Sequence, residues 1–97
     1  MAFIQIVEYR TSQPEAVWEA DREWERATEG KRTTRRIITT RDRNDPNHFM
    51  DIVFFDSYES AMENSNLPET SAAAEKFRSL TGGSLNFHDL EVVEDRS

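Results

Sequence analysis

The chain predicts an α+β fold with one sheet and helices on one of its faces, and three observations carry that expectation. Strand-like and helix-like segments follow one another in the order β-α-β-β-α-β. Two of the four strands, at residues 2–10 and 49–55, are apolar on both faces, whereas the other two carry charge. Ninety-seven residues suffice for one modest core and not for two, so residues 1–97 are expected to form a single domain.

The first strand holds Phe3, Ile4, Ile6, Val7 and Tyr9, interrupted only by Gln5 and Glu8. Ser12-Gln13-Pro14-Glu15 then reads as a capping box, with Pro14 suited to a first helical turn. Val17, Ala20, Trp24 and Ala27 define one apolar stripe, Glu19, Arg22, Glu23, Glu25 and Arg26 the opposite side, and Gly30 ends the helix. Residues 32–41 are rich in Thr and Ile and carry Arg32, Arg35, Arg36 and Arg41, the pattern of an edge strand protected from sticking to other chains.

Residues 42–47 form a turn by composition, and 49–55 is the most apolar strand, broken only by Asp51. A short helix starts at Asp56 or Ser57 and breaks at Asn64-Ser65-Asn66. Asn66-Leu67-Pro68-Glu69 reads as a second capping box, and the helix after it packs through Ala73, Phe77 and Leu80 up to Gly82-Gly83. A last strand spans roughly 85–94.

Right-handed crossovers place the first and third strands of such a chain in the middle of an antiparallel sheet, the ferredoxin-like arrangement. The two most apolar strands are the ones this topology makes central. Helices cover one face only. Phe49, Val53 and Phe55 share one side of the third strand and Met50, Ile52 and Phe54 the other, so the helix-free face calls for a cover. A second copy of the chain supplies it, and a homodimer through that face, with a cleft between the two sheets, is the expectation.

Composition narrows the partners. Nineteen acidic against twelve basic residues give a net charge of -7, which disfavours nucleic acid and anionic membrane surfaces. No apolar run is long enough to span a bilayer, and no basic stretch leads into an apolar leader, so the expected address is cytoplasmic. Cysteine is absent, which removes disulfides and thiolate chemistry. Two histidines forty residues apart give no metal-ligand spacing, and three glycines leave no phosphate loop; neither metal nor cofactor is expected.

The segment from Phe49 to Leu80 carries a resemblance. A strand ending Phe-Phe-Asp-Ser-Tyr-Glu-Ser-Ala-Met runs into Asn-Ser-Asn-Leu-Pro-Glu-Thr and then an Ala-rich helix. In this the chain resembles dimeric α+β barrel proteins of the antibiotic-biosynthesis-monooxygenase-like group. The resemblance implies a dimer and a division of functions: some members oxidise aromatic polyketides with oxygen and no cofactor, some open haem, and others have no established reaction. The haem-opening branch uses an Asn, a Trp and a His. Here Gln5 or Val7, Phe55 and Ala72 stand at those places, so the resemblance does not extend to haem.

Strand parity selects the candidate site. If Phe55 faces the cleft, so do Phe49, Asp51 and Val53, joined by Gln5, Val7 and Tyr9 of the first strand, with Ile4 and Ile6 assigned to the helix side. Asp51 is either a catalytic base raised by burial or a carboxylate paired with Arg35 or Arg36 to hold register. His88 is the second candidate base, on a strand whose parity is open. The readings are a cofactor-independent monooxygenase-like enzyme for a small aromatic molecule, using His88 or Asp51 in a cleft lined by Gln5, Tyr9, Phe49, Val53 and Phe55, and a non-catalytic dimer that binds a small ligand or serves as an accessory protein.

Overall fold

The computed structural model describes residues 2–97. Its elements are β1 (Phe3–Arg10), α1 (Pro14–Ala27), β2 (Arg36–Arg41), β3 (His48–Phe55), α2 (Tyr58–Ser65), α3 (Pro68–Leu80) and β4 (Asn86–Glu91). The strands form one antiparallel sheet in the order β2-β3-β1-β4, so the two apolar strands are central and the two charged ones are edges. This is the ferredoxin-like α+β fold that the element order predicts, with the second helical segment divided in two.

Local departures have identifiable causes. β2 begins at Arg36 because the residues before it are tied to helices: Arg32 Nη1 donates to the Glu25 carbonyl at 2.7 Å, and Thr33 donates from its amide to Asn64 Oδ1 and from its hydroxyl to the Ser60 carbonyl. The Ser12 capping box does not form. Thr11 Oγ1 accepts from the Gln13 amide instead, and α1 starts at Pro14 without a side-chain cap. Nor does the Asn66 box, since Asn66 closes α2 and Leu67 precedes α3. Among the described residues only α2 carries a box, built by Ser57 and Ser60, whose hydroxyls each accept the other's amide at 3.1 Å.

Two clusters make the core. Phe3, Val53, Phe55 and Ala61 pack under α2. Tyr9, Val17 and Phe49 pack under α1, with Phe77 and Leu80 of α3 against them. Tyr9 stacks on Phe49 with ring centres 5.5 Å apart, and Trp18 meets Phe49 edge-on at 5.8 Å. The odd-numbered residues of β1 and β3 therefore face the helices. This reverses the assignment of Ile4 and Ile6. They lie on the helix-free face, because Phe3 and Tyr9 take the enclosed positions at 3% and 1% exposure.

On the helix-free face the registers align apolar residues in rows. Ile6 stands opposite Ile52, which stands opposite Ile38, and Ile4 stands between Phe54 and Leu90. Leu90 is 46% exposed. Among the described residues no helix is long and apolar enough to cross a membrane.

Candidate active site

A space that can hold a ligand lies between the sheet and the helices, on the opposite face of the sheet from the one where the cleft was expected. Its origin is the composition of α3. Phe77 and Leu80 at the C-terminal end reach the core, while Thr70, Ser71, Ala73 and Ala74 are too small to fill the gap above the strands. The result is a cavity of about 530 Å³, partly open to solvent, that extends from Ile37 of β2 to Phe87 of β4.

Gln5, Asp51, Val53 and Phe55 line this cavity together, as their shared parity requires. Val7 lines it too, and Trp24 walls it from α1, held by a hydrogen bond from its Nε1 to Thr70 Oγ1 at 3.0 Å. Gln5 Nε2 donates to Asp89 Oδ1 at 3.0 Å, so that edge-strand carboxylate is already engaged. Tyr9 and Phe49 stand behind the wall as buried core, although the Tyr9 hydroxyl reaches the site by donating to Asp51 Oδ1 at 3.4 Å.

Among the described residues Asp51 has no arginine partner. Arg35 binds Asp56, with Nε to Oδ2 at 2.9 Å, and Arg36 lies over the Phe54 ring on the other face of the sheet. Opposite Asp51 stand Val7 on β1 and Thr39 on β2. Burial is the main force on the group and pushes its pKa up to about 6, with the charge of Asp21 adding to the rise; hydrogen bonds from Thr39 and Tyr9 oppose it.

Asp21 is the cavity's second internal carboxyl, and the sequence reading missed it. It projects from α1 and is likewise raised to about 6 by burial first and then by Glu25, against the pull of Arg22 and Arg32. Its signal was present. Val17, Ala20, Asp21 and Trp24 follow the i, i+3, i+4, i+7 spacing of one helix face, so a carboxylate interrupts the very stripe that meets the sheet. Among the described residues, Asp21 makes neither a side-chain hydrogen bond nor an ion pair within 4.0 Å, whereas Glu19 and Glu23 on the same helix pair with Arg26 and Lys76.

His88 is not brought to this site. It stands opposite Ile6 on the helix-free face, where its Nε2 lies 3.1 Å from Glu8 Oε1. The alternation of β4 is the reason, since Phe87 and Asp89 take the cavity side. Glu8 also meets His48 Nε2 at 2.7 Å, and His48 Nδ1 lies 3.2 Å from Asp42, so His48 is part of a surface network and its pKa is raised by both carboxylates. No cluster of three or more His, Cys, Asp or Glu among the described residues is arranged to hold a metal ion.

No family model matches the chain. No curated protein matches it in sequence. Solved structures do match in fold. A variant of SnoaB from Streptomyces nogalater, described as a cofactor-independent oxygenase, superposes with a TM-score of 0.82 at 10% identity over 97% of this chain and 95% of its own. Rv0793 from Mycobacterium tuberculosis gives 0.79 at 10% identity with both chains fully covered. A protein described as an antibiotic biosynthesis monooxygenase gives 0.73 at 13% identity, over 97% of this chain and all of its own.

Proposed function

We propose that this chain, which has the fold of the antibiotic-biosynthesis-monooxygenase-like group of α+β barrels, is a cofactor-independent oxygenase for a small aromatic, polyketide-like molecule. One observation carries the reading: an apolar-walled cavity of about 530 Å³ has a half-buried carboxyl, Asp51, fixed on its central strand. Cavities of this size and lining suit a small organic ligand. A carboxyl whose pKa is raised toward neutrality is a stronger base once ionised than one in the ordinary carboxylate range.

The reaction that fits converts an activated CH₂ group and O₂ into a ketone and water. Asp51 takes a C–H proton, and the resonance-stabilised carbanion passes its electron pair to O₂, forming a C–O bond and a peroxide. Protonation of the peroxide, loss of the second C–H proton and cleavage of the O–O bond release water and leave the carbonyl. The aromatic substrate is thus the reductant, and oxygen the oxidant. SnoaB shares the fold and carries the description of an oxygenase without cofactor, which supports the reading without extending to substrate.

Two further parts belong to the same proposal. The chain works as a homodimer through its helix-free sheet face, on the strength of the apolar rows there. It works in the cytoplasm, in keeping with its cysteine-free composition.

The test is oxygen consumption by the purified protein with anthrone, whose CH₂ group is acidic, alongside Asp51→Asn. Turnover that falls by about 100-fold in the variant is expected. Anthrone binding without oxygen uptake would replace the oxygenase with a ligand-binding module, and uptake unchanged in the variant would remove Asp51 from the chemistry.

A further inference from the structure

We infer that Asp21 is the proton donor that works with Asp51, so that the cavity also interconverts keto and enol forms of a carbonyl-bearing ligand without oxygen. The inference deepens the proposed function and rests on its cavity, but not on the oxygenase chemistry.

Three observations lead to it. Asp21 and Asp51 line the same cavity from different layers, one from α1 and one from β3. A ligand lying between helix and sheet therefore meets a carboxyl on each side. Next, the two are held differently. Asp51 accepts from Tyr9 at 3.4 Å and stands opposite Thr39, donors that favour its ionised form. Asp21 accepts no side-chain or backbone hydrogen bond among the described residues, and Glu25 on its own helix opposes its charge.

The remaining charges around the pair do not neutralise it. Arg22 and Arg32 act on Asp21 and are outweighed by burial. From α3 the cavity receives one cation and one anion, Arg78 and Glu75, and from β4 a further carboxylate, Asp89, which accepts from Gln5. The charge of Asp21 raises the affinity of Asp51 for its proton, and two carboxyls coupled in this way lose their protons in two steps, between which one is a base and the other an acid. We take Asp51 as the base because it has a hydrogen-bond donor in Tyr9, and Asp21 as the acid because it has none among the described residues.

The step balances without a co-reactant. Asp51 takes the proton α to a ligand carbonyl, the C–H electron pair becomes the C=C bond, and the carbonyl π pair moves to oxygen. That oxygen takes the proton of Asp21. The product is the enol, an isomer, and proton exchange with solvent resets the pair. A general acid and a general base acting together each contribute a factor of about 10² or more.

The experiment is anaerobic deuterium incorporation from D₂O into the CH₂ group of anthrone, followed by proton NMR, for the native protein, Asp21→Asn and Asp51→Asn between pH 4 and 9. The native protein is expected to give a bell-shaped rate profile with its maximum near pH 6. Asp51→Asn should lose about 100-fold, and Asp21→Asn about 10-fold or more near pH 6 with loss of the alkaline limb. A native-like bell in Asp21→Asn overturns the inference, as does the absence of any exchange in the native protein.

Carboxyl ¹³C NMR titration of the native protein needs no variant. Coupled titration of the two side chains near pH 6 is expected, and an Asp21 that titrates in the ordinary carboxylate range overturns the inference. Exchange without oxygen uptake in the aerobic assay leaves this inference standing and removes the oxygenase, whereas uptake with a donor-independent exchange profile does the reverse.

Discussion

Tyr9 Oη donates to Asp51 Oδ1 at 3.4 Å from the diagonally adjacent position on the neighbouring strand, linking the most buried aromatic stack of the core to the floor of the cavity. The tyrosine is 1% exposed, and burial with the nearby charges of Asp51 and Asp21 raises its own pKa, so it stays a donor throughout the accessible pH range. It positions the carboxylate from inside the core.

Tyr9→Phe keeps the stack with Phe49 and removes only the hydroxyl. The loss of one hydrogen bond to a charged group is expected to cost about 1 kcal/mol, or a melting temperature lower by about 4–8 °C. The Asp51 carboxyl should titrate higher than in the native protein. Thermal melts with ¹³C NMR titration check both, and an unchanged Asp51 titration would mean that the hydroxyl does not stabilise the carboxylate.

The pH dependence of stability follows from the raised carboxyls. Asp21 and Asp51 titrate at about 6 in the fold against an ordinary 3.8, so between those values the folded chain binds more protons than the unfolded one. Their stabilising contribution is full below about pH 4 and is lost as the pH rises through 6. Glu8, Asp42, Asp45 and Asp56 are lowered by their ion pairs and hydrogen bonds and act in the opposite sense, losing their contribution on acidification. Maximum stability is expected between about pH 4 and 6. Asp51→Asn should be more stable than the native protein at pH 8 by about 3 kcal/mol, with the gain vanishing near pH 4. Urea unfolding at the two pH values measures the difference.

Ala73 lines the cavity from α3, where small side chains leave the space open. Ala73→Leu projects into that space and is expected to weaken binding of anthrone by about 10-fold or more, with stability unchanged or slightly higher because apolar surface is buried. Fluorescence titration and a thermal melt separate the two effects. Undiminished binding would place the ligand outside this cavity.

Ile52 stands between Ile6 and Ile38 in the middle of the helix-free face. Ile52→Asp places a charge where the proposed dimer buries an apolar row, and the variant is expected to sediment as a monomer while the native protein sediments as a dimer. An unaltered sedimentation coefficient would take the interface away from this face.

The order of the elements, the centrality of β1 and β3, the edge character of β2 and β4 and the break between α2 and α3 all follow from the sequence. Each depends on local patterning: the run from Phe49 to Phe55, the arginines of β2, and Asn64-Ser65-Asn66. Parity likewise groups Gln5, Asp51, Val53 and Phe55 correctly, because alternation along a strand and pairing between strands need no knowledge of what lies above the sheet.

Which face that group occupies was decided only by tertiary structure. Both faces of the central strands are apolar, so hydrophobicity could not say whether Phe3 and Tyr9 or Ile4 and Ile6 meet the helices; packing placed the aromatic rings under α1 and α2. The cavity depends on the gap that the small residues of α3 leave over the sheet, a relation between two layers. Asp21 becomes part of a site only when α1 docks and brings it over the wall that holds Asp51, 30 positions away, whose carboxyl its charge raises only across the packed interface. Local sequence fixes periodicity, and the docking of one layer on another fixes which polar groups share a buried space.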